Sequence, residues 1–169
     1  MKERPITFTA AKVRAILDGR KTQFRRMVKP QPAEGLAWRG AISCSTVKAD
    51  EGKHLFTDRY PCARQAQHIS CPFGNPRNGD RLRIKDTRII LANESVRAER
   101  LQDITEEDAT AEGITDGGCL SCGMPEPCGC KNPRPDRRDE IAQLWGDLWH
   151  ENPWVWVVEF RVVEGGQND

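Results

Sequence analysis

The segment PWVWVVEFRVV at 153–163 constrains the fold more than any other part of the sequence. Its bulky apolar side chains recur at every second position, which is typical of a β-strand with one buried face. That face carries Trp154, Trp156, Val158 and Phe160. Because the tryptophans follow strand periodicity, we expect them in the core; a surface on which nucleobases stack is the alternative.

Short strands and helices are predicted along the rest of the chain. A helix at 105–112 has a capping signal, Thr105 followed three positions later by Asp108. A longer helix at 136–150 presents one apolar stripe, formed by Ile141, Leu144, Trp145, Leu148 and Trp149. Further predictions are strands at 5–9 and 21–30, a strand pair or one long bent strand at 80–91, and a helix at 10–19, which Gly19 ends.

The pattern predicts a single α+β domain over 1–164. The helices are too few for a doubly wound sheet, and a small barrel with helices at its ends or side fits better. Irregular inserts are expected at about 33–78, where AWRGAIS and KHLFT are candidate short strands, and at 115–135. Residues 165–169 are expected to form a frayed tail.

Charge is distributed unevenly although the net charge is only +1. Residues 1–31 hold nine basic and two acidic residues, whereas 94–116 hold eight acidic and two basic residues. The basic end indicates either a surface for a polyanion or a neighbour that the acidic segment neutralises. With no long apolar run and no signal-peptide pattern at the N-terminus, we expect a cytoplasmic protein without disulfides.

The seven cysteines are therefore expected to be free thiols or metal ligands. Cys119, Cys122, Cys128 and Cys130 lie within twelve residues of a Gly- and Pro-rich loop, which makes a structural zinc site possible as a cofactor call. A loop with reduced thiols is the alternative. Cys62, His68 and Cys71 form a second, weaker candidate for a metal site. Cys44 is expected to be an ordinary residue with no metal role.

The segment LDGRKTQFRR at 17–26 carries the most specific motif. Gly19, Lys21 and Arg25 resemble the Gly-x-Lys-x-x-x-Arg signature of ASCH domains. Four blocks, RPITFTAAKVRAILDGRKTQ, CPFGNPRNGDRLRIKDT, RLQDITEEDATAEGI and NPWVWVVEF, resemble those of phage- and prophage-borne ASCH proteins in order and spacing. The resemblance implies a PUA-like fold, a small pseudo β-barrel related to RNA-binding domains.

The resemblance also implies a ligand. It favours RNA, a nucleotide or a modified base as partner, bound in a basic cleft within a bacterial host's cytoplasm. The residues expected to line the cleft are Gly19, Lys21, Thr22, Arg25, Asp86 and Glu112. Arginine and lysine would contact phosphate, and carboxylates would contact base-edge amines.

An enzymatic alternative comes from a bacterial amidohydrolase of the same family, which deacetylates acetylated cytidine nucleosides. Its catalytic lysine and glutamate correspond to Lys21 and Glu112, but Phe24 occupies the position of its catalytic threonine. A strand beginning near residue 20 directs Lys21, Gln23 and Arg25 to one face. A lysine acts as a base only when burial or nearby cations lower its pKa.

Two further functions stay open at the level of sequence. Some ASCH proteins cut RNA, and nothing in the sequence selects or excludes that reaction. A phage morphogenesis or protein-interaction factor is the other, with the cysteine loop and residues 33–78 as the contact surface.

Overall fold

The computed structural model describes residues 2–41, 53–58, 64–76, 79–114, 122, 124, 129–131 and 137–165. The strands are β1 (Glu3–Ile6), β2 (Gln23–Met27), β3 (Ala37–Ala41), β4 (Lys53–Thr57), β5 (Ala66–Ser70), β6 (Arg81–Ile84), β7 (Ile90–Arg100) and β8 (Trp154–Glu164). The helices are α1 (Ala10–Leu17), α2 (Glu106–Ala111), α3 (Arg137–Trp145) and α4 (Asp147–Glu151), with a 3-10 turn at Leu101–Asp103. None of these helices is long and apolar enough to cross a membrane.

A five-stranded sheet in the order β1-β6-β7-β8-β2 forms the centre of the protein. β1 runs parallel to β6, and every other neighbouring pair is antiparallel. The predicted strand at the C-terminus is confirmed as β8, which pairs with β7 on one side and β2 on the other. Its residues from Trp154 to Val158 are all buried, so both faces of the sheet must be covered.

Different layers cover the two faces of β8. On one face, Trp156 and Val158 belong to clusters that include Phe24, Phe56 and Ile69. Phe56 and Ile69 come from a second sheet with the order β3-β4-β5. On the other face, Val155 and Val157 pack with Leu101 and with Trp145 and Trp149 of the C-terminal helices. The tryptophans of β8 are therefore core residues, as predicted.

The fold class is α+β, as predicted, but the described strands form two open sheets and no closed barrel. Residues 33–78 were expected to be an irregular insert with two short strands. The two candidate strands are confirmed, AWRGAIS as β3 and KHLFT as β4, and a third strand that was not predicted, β5, joins them in a sheet that supplies one wall of the core.

The predicted helix at 136–150 is interrupted at Gly146. This glycine has a φ of 54°, and its N–H ends α3 by donating to the carbonyl of Ala142 before α4 begins. A glycine tolerates that left-handed conformation at little cost, so the chain turns there. The predicted stripe is correct only in part: Ile141 is buried and Trp145 and Trp149 pack on the core, whereas Leu144 is 65% exposed.

Strand β7 extends nine residues beyond the predicted strand end at 91. A register shift between Asn93 and Ser95 marks a bulge in its pairing with β8. Beyond the bulge, Val96 and Ala98 pack on the aromatic core, while Ser95, Arg97 and Glu99 alternate with them. The segment ESVRAER has few apolar residues, and its charges hid the strand periodicity.

The predicted capping box of α2 is confirmed and allows a test of stability. The Thr105 side chain accepts the Asp108 N–H at 3.1 Å, and the Asp108 carboxylate accepts the Thr105 N–H at 3.5 Å. We expect Thr105→Ala to lower the free energy of unfolding by about 1 kcal/mol in chemical denaturation, because an N-terminal donor of the helix loses its partner.

Thr9→Ala is the matched control. Thr9 is the N-cap of α1, but its side chain makes no capping hydrogen bond. We expect Thr9→Ala to lower the free energy of unfolding by well under half the amount that Thr105→Ala does. Equal losses at the two positions would contradict the role of the capping box.

Candidate functional site

Lys21 begins the site, and local backbone geometry positions it. Gly19 has a φ of 72° and lets the chain turn after α1, so that the N–H groups of Arg20 and Lys21 both donate to the carbonyl of Ala15. Lys21 then forms an isolated antiparallel bridge with Glu112, at the end of α2. A Cβ on Gly113 would lie 3.2 Å from the Lys21 Cβ, so a glycine there allows the two segments to meet.

The two residues assigned as a catalytic pair are in direct contact. Lys21 Nζ donates to Glu112 Oε2 and to the Glu112 carbonyl oxygen, both at 2.7 Å. Lys21 is only 2% exposed. Burial lowers its pKa, and the charges of Lys12 and Arg26 act in the same direction, against the opposing effect of Glu112. Arg20, the neighbour of Lys21 in sequence, forms an exposed pair with Asp18.

Arg25 lies beside this pair and is surrounded by carboxylates. Its side chain is 1% exposed and forms ion pairs with Glu99 at 2.6 Å, Asp108 at 3.1 Å and Glu112 at 3.3 Å. It also donates to the Gln23 side-chain oxygen at 2.6 Å. With both terminal nitrogens engaged, Arg25 holds β2, β7 and α2 together rather than presenting a free guanidinium to phosphate.

A second arginine extends the network along the same sheet face. Arg97 pairs with Glu99 at 3.3 Å, with Asp108 at 3.0 Å and with Glu159 at a shorter distance. Burial alone would raise the pKa of Asp108, but the Gln23 amide and the charges of Arg25 and Arg97 hold it below its ordinary value. The Ser95 hydroxyl, which donates to Glu159, lowers that residue's pKa, and Arg97 adds to the effect.

The sequence did not reveal four members of this network: Gln23, Arg97, Glu99 and Glu159. One signal was present in the sequence: Gln23 and Arg25 are two positions apart, as are Arg97 and Glu99. Polar residues at that spacing on a strand lie on the same face of the sheet. Glu159 had a different signal, because it interrupts an otherwise apolar run. Neither pattern names the partner, since the partners are distant in sequence.

Two cavities flank Lys21, and it is the one lining residue that they share. The basic cavity has a volume of about 350 Å³ and is lined by Phe8, Lys12, Lys21, Phe24, Arg25, Arg26, Met27, Glu112, Ile114, Ile141, Leu144 and Trp145. The acidic cavity has a volume of about 620 Å³ and is lined by Ile16, Leu17, Gly19, Lys21, Thr22, Gln23, Glu94, Glu107, Asp108, Ala111, Glu159, Phe160, Arg161 and Val162. The cleft around Lys21 is thus divided into two environments of opposite charge.

In the basic cavity, cations lie beside aromatic rings. The Arg26 guanidinium lies 5.7 Å from the Phe8 ring centroid and 5.9 Å from that of Phe24, within the range of cation–π attraction. Among the described residues, neither Lys12 nor Arg26 forms an ion pair. These two side chains, unlike Arg25, retain cationic donors for a ligand.

Phe24 and Thr22 line different cavities. Phe24 is buried at the basic cavity, where its ring packs edge-on against Phe8 and Phe73. Thr22 is exposed and lines the acidic cavity. Since the described residues that line the basic cavity include no hydroxyl group, Thr22 does not replace there the threonine that the family resemblance assigns to position 24.

Asp86 lies away from the other predicted site residues. It is exposed in the turn between β6 and β7, with a φ of 61°, and lines neither cavity. Gly19, Lys21, Thr22, Arg25 and Glu112 do come together, although Gly19 and Thr22 face the acidic cavity and Arg25 and Glu112 the basic one.

The proposed zinc ligands Cys119 and Cys128 lie outside the described residues, as do Cys44 and Cys62. Cys122 is exposed and Cys130 half-buried. Within the ranges that the structure describes, no three His, Cys, Asp or Glu side chains are close enough to hold a metal ion, so zinc in the cysteine loop stays a prediction. Cys71 is buried, and burial raises its pKa to about 12.

Comparisons with known proteins add no relative. No protein-family model, curated protein or solved structure matches the chain.

The ion network makes a direct prediction for Arg25. Arg25→Met leaves Glu99, Asp108 and Glu112 without their common cation, and we expect it to lower the free energy of unfolding by about 3 kcal/mol, because partly buried charges lose their partner. Arg161→Met is the control, since Arg161 forms an exposed pair with Glu94 at 3.2 Å and is expected to cost less than about 1 kcal/mol. Similar losses from both variants would contradict a stabilising role for the network.

Proposed function

We propose that this protein is an ASCH domain of phage or prophage type that binds a nucleotide or modified nucleobase in the basic cavity. The main support for this proposal is that three side chains at family catalytic positions line the same cavity. Lys21, Phe24 and Glu112, which correspond to the family's catalytic positions, all line it. The PUA-like fold is part of the proposal: a mixed sheet flanked by a second small sheet and short helices is compatible with a pseudo-barrel, although the described strands leave it open.

The chemistry of the cavity walls favours a nucleotide. Lys12 and Arg26 are cations without a carboxylate partner in the described chain, and both are suited to phosphate. Phe8 and Trp145, both half-buried, provide aromatic surface for a base. The Glu112 carboxylate accepts hydrogen bonds, as the exocyclic amine of cytosine, adenine or guanine requires.

The charge of the acidic cavity argues against binding a nucleic-acid strand along the whole cleft. Glu94, Glu107, Asp108 and Glu159 line it, opposed by Lys21 and Arg161. A strand of phosphates crossing that surface would be repelled. A volume of about 350 Å³ in the basic cavity instead lies within the range of small-molecule sites, roughly 300–1,000 Å³. The ligand is therefore one nucleotide or base, either free or at the end of an RNA.

Calorimetric titration with CMP, UMP, AMP and GMP tests the binding function. We expect affinity that falls with rising salt, and Arg26→Gln to weaken it by about tenfold through loss of a charged contact to phosphate. Arg161→Gln, the same change at the acidic cavity, is the control and is expected to leave the affinity within about twofold. Absence of binding, or equal weakening by the two variants, would contradict this assignment.

Amidohydrolysis of an acylated nucleoside is a second candidate, supported by the state of Lys21. Its lowered pKa and its contact with Glu112 are what a lysine general base requires. Because no hydroxyl of the described residues lines the basic cavity, water would act as the nucleophile, and the Lys21 amine would accept its proton in the unprotonated form that a lowered pKa favours.

Hydrolysis of acetylcytidine, followed by chromatography, distinguishes the enzyme from the binding protein. Turnover that is lost in Lys21→Ala and retained in Lys85→Ala, an exposed lysine outside both cavities, would support the hydrolase. A Phe24→Thr variant, checked for folding, restores the family's hydroxyl and is expected to raise the rate. No turnover by the native protein or by folded Phe24→Thr would exclude acetylcytidine as the substrate and favour binding alone.

A further inference from the structure

A third cavity lies at the seam between the two sheets. This seam cavity has a volume of about 420 Å³ and is lined by Trp38, Arg39, Gly40, Ala41, His54, Asn75, Pro76, Glu94, Ser95 and Val96. It shares no lining residue with the basic cavity. Two strand irregularities meet there, one between Trp38 and Gly40 in β3 and one between Asn93 and Ser95 in β7. Such bulges redirect side chains and are common beside binding sites.

Trp38 and His54 form a nearly flat aromatic surface in this cavity. Trp38 Nε1 donates to His54 Nδ1 at 3.1 Å, and the two ring planes differ by 25°. The ring centroids are 6.2 Å apart. This separation equals the length of the hydrogen bond plus the distance from each bonded nitrogen to the centre of its own ring, as expected when the bond lies in the plane of both rings. The rings therefore lie edge to edge rather than face to face.

The hydrogen bond also determines which nitrogen of His54 carries the proton. Nδ1 accepts from Trp38, so Nε2 is the protonated nitrogen in the neutral ring. Burial lowers the pKa of His54 to about 4, which keeps the ring neutral near pH 7. The contact with Trp38 is the one hydrogen bond of His54 in the described chain, so the Nε2–H has no acceptor among the described residues, and the residue lines the seam cavity while only 3% exposed.

The charges at the rim differ in their pairing. Glu94 is engaged with Arg161 at 3.2 Å. Arg39 is exposed and has no ion-pair partner among the described residues. The cavity therefore combines an aromatic face, a neutral donor without an acceptor in the described chain and an available cation. A planar ring with a hydrogen-bond acceptor and an attached anion matches all three groups.

We propose that the seam cavity is a second nucleotide site, in which Trp38 stacks on the base, His54 Nε2–H donates to a base acceptor and Arg39 contacts the phosphate. Stacking on a tryptophan face accepts any base, and the donor prefers an acceptor such as a carbonyl oxygen or ring nitrogen. The proposal is independent of the function assigned to the basic cavity, because it depends on different residues of a different sheet.

Indole N–H signals in a ¹⁵N-correlated NMR spectrum separate the two sites within one titration. The Trp38 signal is identified by its loss in Trp38→Phe, and that of Trp145, in the basic cavity, by its loss in Trp145→Phe. With AMP or UMP as probe, we expect a saturable shift of the Trp38 signal that inorganic phosphate does not reproduce. A Trp38 signal that stays unshifted, or that phosphate shifts equally, overturns the proposal, whatever happens at Trp145.

Variants test the individual groups by following the same titration. Arg39→Gln changes an exposed residue and is expected to raise the Kd at this site by about tenfold, whereas Arg88→Gln, exposed and outside all three cavities, changes it less than about twofold. The Kd for Arg39→Gln is followed through the Trp38 signal. An unchanged Kd in Arg39→Gln overturns the phosphate contact and with it the assignment as a nucleotide site.

Stacking has its own test. Trp38→Ala is expected to weaken AMP binding by roughly 5- to 100-fold, the effect of removing a base-stacking aromatic ring. The shift of an amide signal beside Arg39 replaces the lost indole as readout, and a native-like spectrum elsewhere verifies the fold. Undiminished AMP binding by folded Trp38→Ala overturns the proposal.

Discussion

Two positive charges, those of Lys21 and Arg25, are buried on one face of the central sheet, and the arrangement of the surrounding elements depends on this burial. A cation leaves water only if carboxylates accompany it. Glu112 and Asp108 come from α2 and its end, and Glu99 comes from β7. The contacts attach α2 to the start of β2 and keep the helix end beside Lys21. The same ion pairs therefore support the fold and form the candidate site.

The network also determines the character of the two cavities beside Lys21. Arg25 is neutralised by its carboxylate neighbours, so the positive charge available to a ligand comes from Lys12 and Arg26 on the other side of the bridge. The carboxylates that face away from Arg26 give the neighbouring cavity its negative charge. Lys21 lies between the two cavities and is held there by Glu112. Burial at this position makes the positive charge of Lys21 energetically unfavourable. This combination suits recognition of a single nucleotide, and it also brings the lysine closer to the state that a general base needs.

The three-stranded sheet has a second role beyond covering Trp154 and Trp156. Its β4 strand carries His54 to the seam, where the ring contacts Trp156 edge-on on one side and Trp38 through a hydrogen bond on the other. Because the imidazole is buried among aromatic rings, it stays neutral and keeps an N–H donor at the cavity. Residues 33–78 thus contribute a polar aromatic surface at the seam, which shares no described lining residue with the basic cavity.

The sequence by itself determined the features that depend on neighbouring residues. The alternation of β8, the capping box of α2, the turn at Gly19 and the shared face of Lys21, Gln23 and Arg25 all follow from local backbone geometry and periodicity. The pairing of Lys21 with Glu112 was anticipated through family resemblance, not through spacing. Only the tertiary structure decided that Arg25 is enclosed by three carboxylates, that Arg97 and Glu159 belong to the same network, and that Asp86 lies outside it. The physical reason is that a charged residue has the same local pattern whether it is solvated or buried, and the outcome depends on partners tens of residues away.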